Sequence, residues 1–249
     1  MAGLISRFAS ILFSSGRYQK LVDEKKVFSN VVGYSDIKRL LSLAVMSVDP
    51  VHILLTGPPS SCKTVFLLGM LDSLQDTYYV DAAGASGPGM IEHLFTSNTK
   101  YLLIDEIDKM KKGDQASLLN VMETGILSET KLKGKTRQKK LKLWIFATSN
   151  DIQMLSAPLR SRFMELHLPE YTFDEFLQIT RSLLKKRYKL DTNMADRIGH
   201  SVWHTMKSKD VRDVTNIARL VRSSGDVDWL TQIQIKYAKG RYSDKQCGR

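Results

Sequence analysis

Eight consecutive residues have the types and order needed to hold a phosphate: Gly57-Pro58-Pro59-Ser60-Ser61-Cys62-Lys63-Thr64. They stand between two apolar runs, Val51-His52-Ile53-Leu54-Leu55-Thr56 and Val65-Phe66-Leu67-Leu68. In a strand, tight loop and helix, backbone N–H groups and a helix N-terminus converge on one anion, which the helix dipole favours. Lys63 would add a point charge for the outer phosphates of a nucleotide. The Thr64 hydroxyl would be a ligand for a bridging Mg²⁺. Cys62 stands where the pattern G-x-x-x-x-G-K-[ST] has its second glycine, which keeps side chains clear of the phosphates. A cysteine fits there if its backbone stays in an allowed region and its thiol turns away.

A second chemical group is Asp105-Glu106, at the end of the apolar run Tyr101-Leu102-Leu103-Ile104. Carboxylates at the C-terminal end of a core strand lie where ligands bind in open α/β sheets. Asp105 can hold Mg²⁺ through water, and Glu106 can polarise or orient a water for in-line attack on a γ-phosphate. Without Lys63-Thr64 upstream, two acids opening a helix would be ordinary. Asn150 follows another apolar run, Leu143-Trp144-Ile145-Phe146-Ala147. Its amide could orient the same water if the strands are neighbours; on its own, Ser149-Asn150 is a turn.

These groups need a scaffold, and the chain supplies one. Ser35 can cap a helix over about 36–48, ended by Asp49-Pro50. The strand at 51–56, the loop and a helix to about 75 follow. Tyr78-Tyr79-Val80 reads as a strand, 82–89 as a loop rich in Gly, and 90–95 as a short helix. The runs 101–104 and 143–147 are apolar throughout, as parallel strands buried on both faces are. Between them, 126–132 and 139–142 read as a hairpin turning at Gly134. Lys131 to Lys142 contains seven Lys or Arg and no acid. That basic stretch reads equally as a nucleic-acid backbone contact and as a solvated hairpin tip. A last short strand at 164–168 ends at Pro169. From Thr172 the pattern is helical: Thr172-Phe173-Asp174-Glu175 is a capping box, and helices are expected over 173–186, 194–206, 211–223 and near 228–238.

The chain has 249 residues, 43% hydrophobic and 25% charged, which excludes a disordered or fibrous protein. Lys and Arg number 37 against 26 acids, a net +11 that favours a polyanionic partner or simply gives a basic surface. Two distant cysteines, Cys62 and Cys247, make neither a disulfide framework nor a metal pattern, so a cytoplasmic location is expected. No apolar run reaches transmembrane length. Leu4, Ile5, Phe8, Ile11 and Leu12 give the N-terminus an amphipathic helical pattern, expected to dock on a surface, with a membrane-surface anchor as the alternative.

Taken in order, these features resemble the AAA+ ATPases. Gly57–Thr64 looks like Walker A (Gly57, Pro58, Pro59, Ser60, Ser61, Cys62, Lys63, Thr64), and 102–106 like Walker B. Asn150 matches sensor 1, Arg162 in Ser161-Arg162-Phe163 the arginine finger, and Arg212 sensor 2. The 28–33 stretch, with Val31 and Val32, resembles the approach segment whose backbone contacts adenine. Within the superfamily, Pro88-Gly89-Met90-Ile91 and Ser156-Ala157-Pro158-Leu159 look like the RuvB Holliday-junction motors. The basic hairpin is similar to the pre-sensor hairpins of MCM and MoxR proteins. The resemblance implies an α/β core with a five-stranded parallel sheet over 28–169 and a helical lid over 170–225. These are flanked by an N-terminal helix and linker (1–27) and a C-terminal helix and basic tail (226–249). The chain following Ser223 is expected to be too short for RuvB's winged-helix domain.

The resemblance also implies ATP and Mg²⁺ as cofactors, with Thr64 and Asp105 as metal ligands and Lys63, Glu106, Asn150 and Arg162 as catalytic groups. Arg162 would act on a neighbouring subunit of a homo-oligomer, hexameric by analogy. The expected function is an ATP-driven motor on DNA, with helicase or branch-migration activity. Lys131, Lys133, Lys135, Arg137, Lys139 and Lys140 would be its DNA contacts. The alternatives are a clamp-loader-like or MoxR-like remodeller of a protein partner and a nucleotide-binding scaffold that barely hydrolyses, the last motivated by Cys62 and Ser60 in glycine positions.

Overall fold

The computed structural model describes residues 24–29, 31–130 and 136–237. The amphipathic pattern near the N-terminus, Cys247, the basic tail, and Lys131, Lys133, Gly134 and Lys135 lie outside the described residues. The chain forms two compact units. One contains the described residues up to Pro58 together with those of Cys62–Leu168; the other contains Pro59–Ser61 and the described residues from Pro169 onward.

The first unit begins with α1 (Glu24–Val27), α2 (Ser35–Val45), β1 (His52–Thr56) and α3 (Lys63–Ser73). Next come β2 (Thr77–Asp81), α4 (Gly87–Thr96), β3 (Tyr101–Asp105) and α5 (Lys112–Thr124). The hairpin β4 (Ile126–Thr130) and β5 (Thr136–Lys140) precedes β6 (Trp144–Ser149), α6 (Ala157–Arg160) and β7 (Met164–His167). Five strands make a parallel sheet in the order β2-β3-β6-β1-β7; β4 and β5 pair antiparallel as a separate ribbon.

Period-two alternation explains the two cores. Ile53, Leu55, Leu103 and Phe146 point to one face, where they meet Leu41 and Val45 of α2 and Phe66, Leu67 and Met70 of α3. Leu54, Leu102, Ile104, Ile145 and Ala147 point to the other, against Met90, Leu94, Leu118 and Val121. Strands covered on both sides are apolar at every position, and each fully buried Leu or Phe stabilises the fold by roughly 2–3 kcal/mol. The fold expected from the sequence, a five-stranded parallel sheet followed by helices, is the fold observed.

Local boundaries differ where side chains intervene. Ser35 is inside α2, and its N-cap is Tyr34, held left-handed at φ 52° with no side-chain cap. The helix ends at Val45, short of Asp49-Pro50, where the Ser47 hydroxyl, with one proton to donate, reaches the carbonyls of both Ala44 (2.7 Å) and Asp49 (2.8 Å) as the chain turns. α4 starts earlier than the apolar pattern indicates, because Ser86 accepts from the Gly89 N–H and Pro88 sits in its first turn.

The second unit is helical: α7 (Phe173–Tyr188), α8 (Thr192–His200), a π-helical turn (Ser201–Thr205), α9 (Val211–Leu220) and α10 (Ser224–Tyr237). Thr172 and Glu175 make the capping box in full. Phe176, Leu184, Ile198, Val202, Val214, Ile217 and Val227 form its interior. The Thr231 hydroxyl of α10 lies 2.9 Å from that of Ser201, so α10 packs within this unit.

Candidate nucleotide-binding and hydrolysis site

Because the strands are parallel and in register, their C-terminal ends lie along one edge of the sheet. Thr56 of β1 is level with Ser149 of β6, and Ile104 of β3 with Ala147. The loop after β1, the carboxylates after β3 and Asn150 after β6 therefore meet at that edge.

The loop backbone shows why its motif is written with glycines. Gly57 has φ 145°, Ser60 φ 74° and Cys62 φ 54°. Positions 60 and 62, glycine in the usual pattern, are both left-handed here, a conformation that costs an L-residue roughly 1–2 kcal/mol relative to its preferred regions. Cys62 is the N-cap of α3 and its carbonyl accepts from the N–H groups of Val65 (2.9 Å) and Phe66 (3.2 Å). Lys63 is buried, and its ammonium donates to the carbonyls of Gly57 and Pro58, both at 2.7 Å. Burial pushes its pKa down, while Asp105, Cys62, Asp108 and Glu106 pull it back up.

Asp105 is the centre of the polar network. Its Oδ1 accepts from the Thr64 hydroxyl at 3.2 Å and from the Thr148 hydroxyl, and its Oδ2 accepts from the Tyr79 phenol at 3.0 Å. Burial, and then the Asp105 charge, raise the Tyr79 pKa, so the phenol stays a donor. Thr148 also accepts from the Glu106 N–H at 2.9 Å. Glu106 is left-handed, φ 52°, at the sharp turn out of β3, and its Oε1 accepts from the Asn150 amide at 3.3 Å. Asp108, buried on the next turn, accepts from the Asn150 N–H at 3.1 Å and has Lys109 3.4 Å from its other oxygen.

The donor set fits Mg²⁺ and a nucleotide polyphosphate. One carboxylate and one hydroxyl, 3.2 Å apart, are the hard oxygens a Mg²⁺ uses when phosphates supply the rest. No group of three or more His, Cys, Asp or Glu placed for a metal occurs among the described residues.

The remaining candidates are engaged elsewhere. Arg162 donates through Nε and Nη2 to Glu123 Oε1 at 3.0 and 2.5 Å, with its side chain half exposed. The Val31 carbonyl accepts from the Lys38 ammonium at 2.7 Å; Val31 is buried and Val32 half-buried. Arg212 lies in the first turn of α9 in the second unit, where its N–H donates to the N-cap Asp210 at 2.8 Å. Of the basic hairpin residues, Arg137 pairs with Glu92 and Glu129 and lies 3.9 Å over the Phe95 ring. Lys139 donates to the carbonyls of Leu94, Phe95 and Ser97 at the end of α4. Lys140 is exposed.

Sequence reasoning missed Thr148, Tyr79 and Asp108. Thr148 was within reach of it: two residues before Asn150 on a strand, it must point the same way, toward the acids of a parallel neighbour. Tyr79 carried no such signal, since its role follows from the pairing of β2 with β3.

A buried parallel sheet with β1 inserted between β6 and β7, a lysine-bearing loop and a strand-end acid pair together have the arrangement of a nucleoside-triphosphate-binding fold. Residues 53–170 match the model of the ATPase family associated with various cellular activities (AAA), and the chain carries an AAA+ ATPase domain. That domain is RuvB-like. It is 30% identical over 177 residues to the RuvB subunit of the Holliday junction branch migration complex of Parasynechococcus marenigrum, covering 66% of this chain and 51% of that one. The RuvB of Trichormus variabilis is 27% identical, covering 73% and 52%. A Lon protease of Fusobacterium nucleatum is 29% identical, covering 69% of this chain and 25% of its own. A solved Thermotoga maritima RuvB mutant shares the fold at TM-score 0.66 and 20% identity, covering 84% of this chain and 73% of that one. The chain thus spans about half the length of the RuvB proteins it matches.

Proposed function

We propose that this protein is an ATP-hydrolysing motor that acts on DNA as an oligomer, of the RuvB-like helicase or branch-migration type. The observation that carries the hydrolytic part is the network joining Thr64, Asp105, Thr148, Glu106 and Asn150 at one sheet edge. Lys63 neutralises charge on the β- and γ-phosphates. Glu106, held by Asn150, accepts a proton from the attacking water and aligns it. Mg²⁺ at Thr64 and Asp105 would draw charge from the phosphate oxygens. Backbone around Val31 and Val32 would meet the base. Arg162 from a neighbouring subunit would stabilise the charge developing on the leaving phosphates.

The DNA reading is supported by the net +11, by the basic hairpin and by the RuvB relatives. The test is ATPase rate with and without four-way or forked DNA at two salt concentrations. Stimulation that weakens with salt supports the motor; a rate indifferent to DNA counts against it. A second reading, remodelling of a protein partner, is favoured by Arg137 and Lys139, two of the six basic candidates, being spent inside the chain.

A further inference from the structure

At the amino-terminal edge of the sheet, opposite the nucleotide loop, lies a cleft of about 480 Å³. It opens between the end of α2, the turn before β3 and the chain joining β5 to β6. Lys100, Lys140, Lys142, Asn98 and the stem of Lys139 line it, over Trp144. The indole is almost fully buried, 3% exposed, and its Nε1 donates to the Ser47 hydroxyl at 2.8 Å, which fixes the ring. The Lys100 ammonium lies 5.0 Å from the Trp144 ring and 4.8 Å from that of Tyr101. The Lys142 ammonium lies 5.8 Å from Trp144. Cation–π attraction to a fixed ring thus holds two cationic heads at the cleft, so less side-chain freedom is lost when they take up an anion. The acid paired with Lys142 is Asp49, at 3.6 Å and 90% exposed, which binds it weakly and yields readily to a better anion.

The lysines come from two separate stretches, Lys100 just before β3 and Lys140 and Lys142 at and after the end of β5, and so are spread along an open cleft. Such an arrangement suits a row of phosphates better than a single one. We infer that this cleft binds the phosphodiester backbone of a nucleic-acid strand, as a contact separate from the hairpin tip. The occupant rests on the DNA reading above; the built cleft does not.

The experiment compares the wild type with two variants, a cleft variant (Lys100→Ala, Lys140→Ala and Lys142→Ala together) and a tip variant (Lys131→Ala, Lys133→Ala and Lys135→Ala together). Each is titrated onto a labelled single-stranded oligonucleotide across a salt series. The cleft variant is expected to bind at least about tenfold more weakly, with the log–log salt slope reduced by about two units for three lost phosphate contacts. In the wild type, the oligonucleotide should protect Lys140 and Lys142 from acetylation, a readout that does not depend on a variant folding. Unchanged affinity and unprotected lysines, with the tip variant impaired, would overturn the cleft and leave the DNA reading standing. A wild type that binds no oligonucleotide at low salt would overturn both. Displacement of the strand by pyrophosphate at equal phosphate concentration would show a site for a single anion and would also overturn the inference.

Discussion

Glu106 carries the sharpest residue-scale test, because its two jobs can be separated. Gln at this position keeps the shape and the reach to the Asn150 amide, 3.3 Å away, but cannot take a proton. Glu106→Gln should bind ATP as the wild type does and release phosphate at least ~10²-fold more slowly; equal turnover by both would remove Glu106 from the chemistry. Tyr79 makes a subtler case. Tyr79→Phe deletes one of the three hydroxyl groups that donate to Asp105 and leaves the ring in place. Losing one such bond to a carboxylate costs about 1.5–3 kcal/mol where it is made. The Mg²⁺ concentration needed for half-maximal ATPase should therefore rise severalfold, and an unchanged Mg²⁺ dependence would make Tyr79 a packing residue only.

Strand β1 and helix α4 each bring an expectation at the scale of elements. His52 opens β1 in a largely buried position with its ring edge toward Phe163 and its Nδ1 without a hydrogen-bond partner. Burial lowers its pKa to about 4 from an ordinary 6.5. The unfolded chain therefore binds a proton between these values that the folded chain refuses. Stability is full above about pH 6.5 and falls as the pH drops toward 4, by about 2 kcal/mol at pH 5 and about 3 kcal/mol at the limit. Urea melts at pH 7.5 and pH 5 should show a loss smaller by that amount in His52→Gln than in the wild type. At the end of α4, the Lys139 ammonium donates to three carbonyls, so it closes the helix and roots the hairpin at once. Lys139→Met keeps the stem and removes the donors. Amide exchange should quicken in both β4 and the last turn of α4; faster exchange in β4 alone would mean the two are not joined through this side chain.

In the whole molecule, the question is whether one chain suffices. Arg162 is paired with Glu123 of its own chain, and as a finger it would have to exchange that exposed, weakly held partner for a neighbour's phosphate. Arg162→Ala and Lys63→Ala proteins should each be inactive and regain part of the ATPase when mixed, since one brings the loop and the other the finger. Mixed oligomers without any recovery would place the finger in cis or dispense with it. The sheet and most of the site were legible in the sequence because buried parallel strands are apolar end to end, so Asp105, Glu106 and Asn150 stood out at their ends. What the sequence concealed depends on register and on partners far along the chain. Tyr79 reaches Asp105 only because β2 lies beside β3. Arg137 and Lys139 read as free charge, yet Glu92, Phe95 and the end of α4 claim them. α2 ends beside a serine hydroxyl that no periodicity reports.

The left-handed backbone at Ser60 and Cys62 also has a bearing on how this loop can change. If backbone geometry alone governs tolerance there, a saturation scan should rank glycine first, asparagine and aspartate next, and valine, isoleucine and threonine last. Cysteine codons differ from glycine codons by a single base, so the unstrained loop is one mutational step away at position 62, and also at position 60 where the serine codon is AGT or AGC. A lineage under selection only for nucleotide affinity would take those steps readily. Cysteine ranking above glycine at position 62 in such a scan would mean that the thiol itself is under selection, and the loop would then be a place where the protein's chemistry with oxidants or electrophiles meets its chemistry with nucleotide.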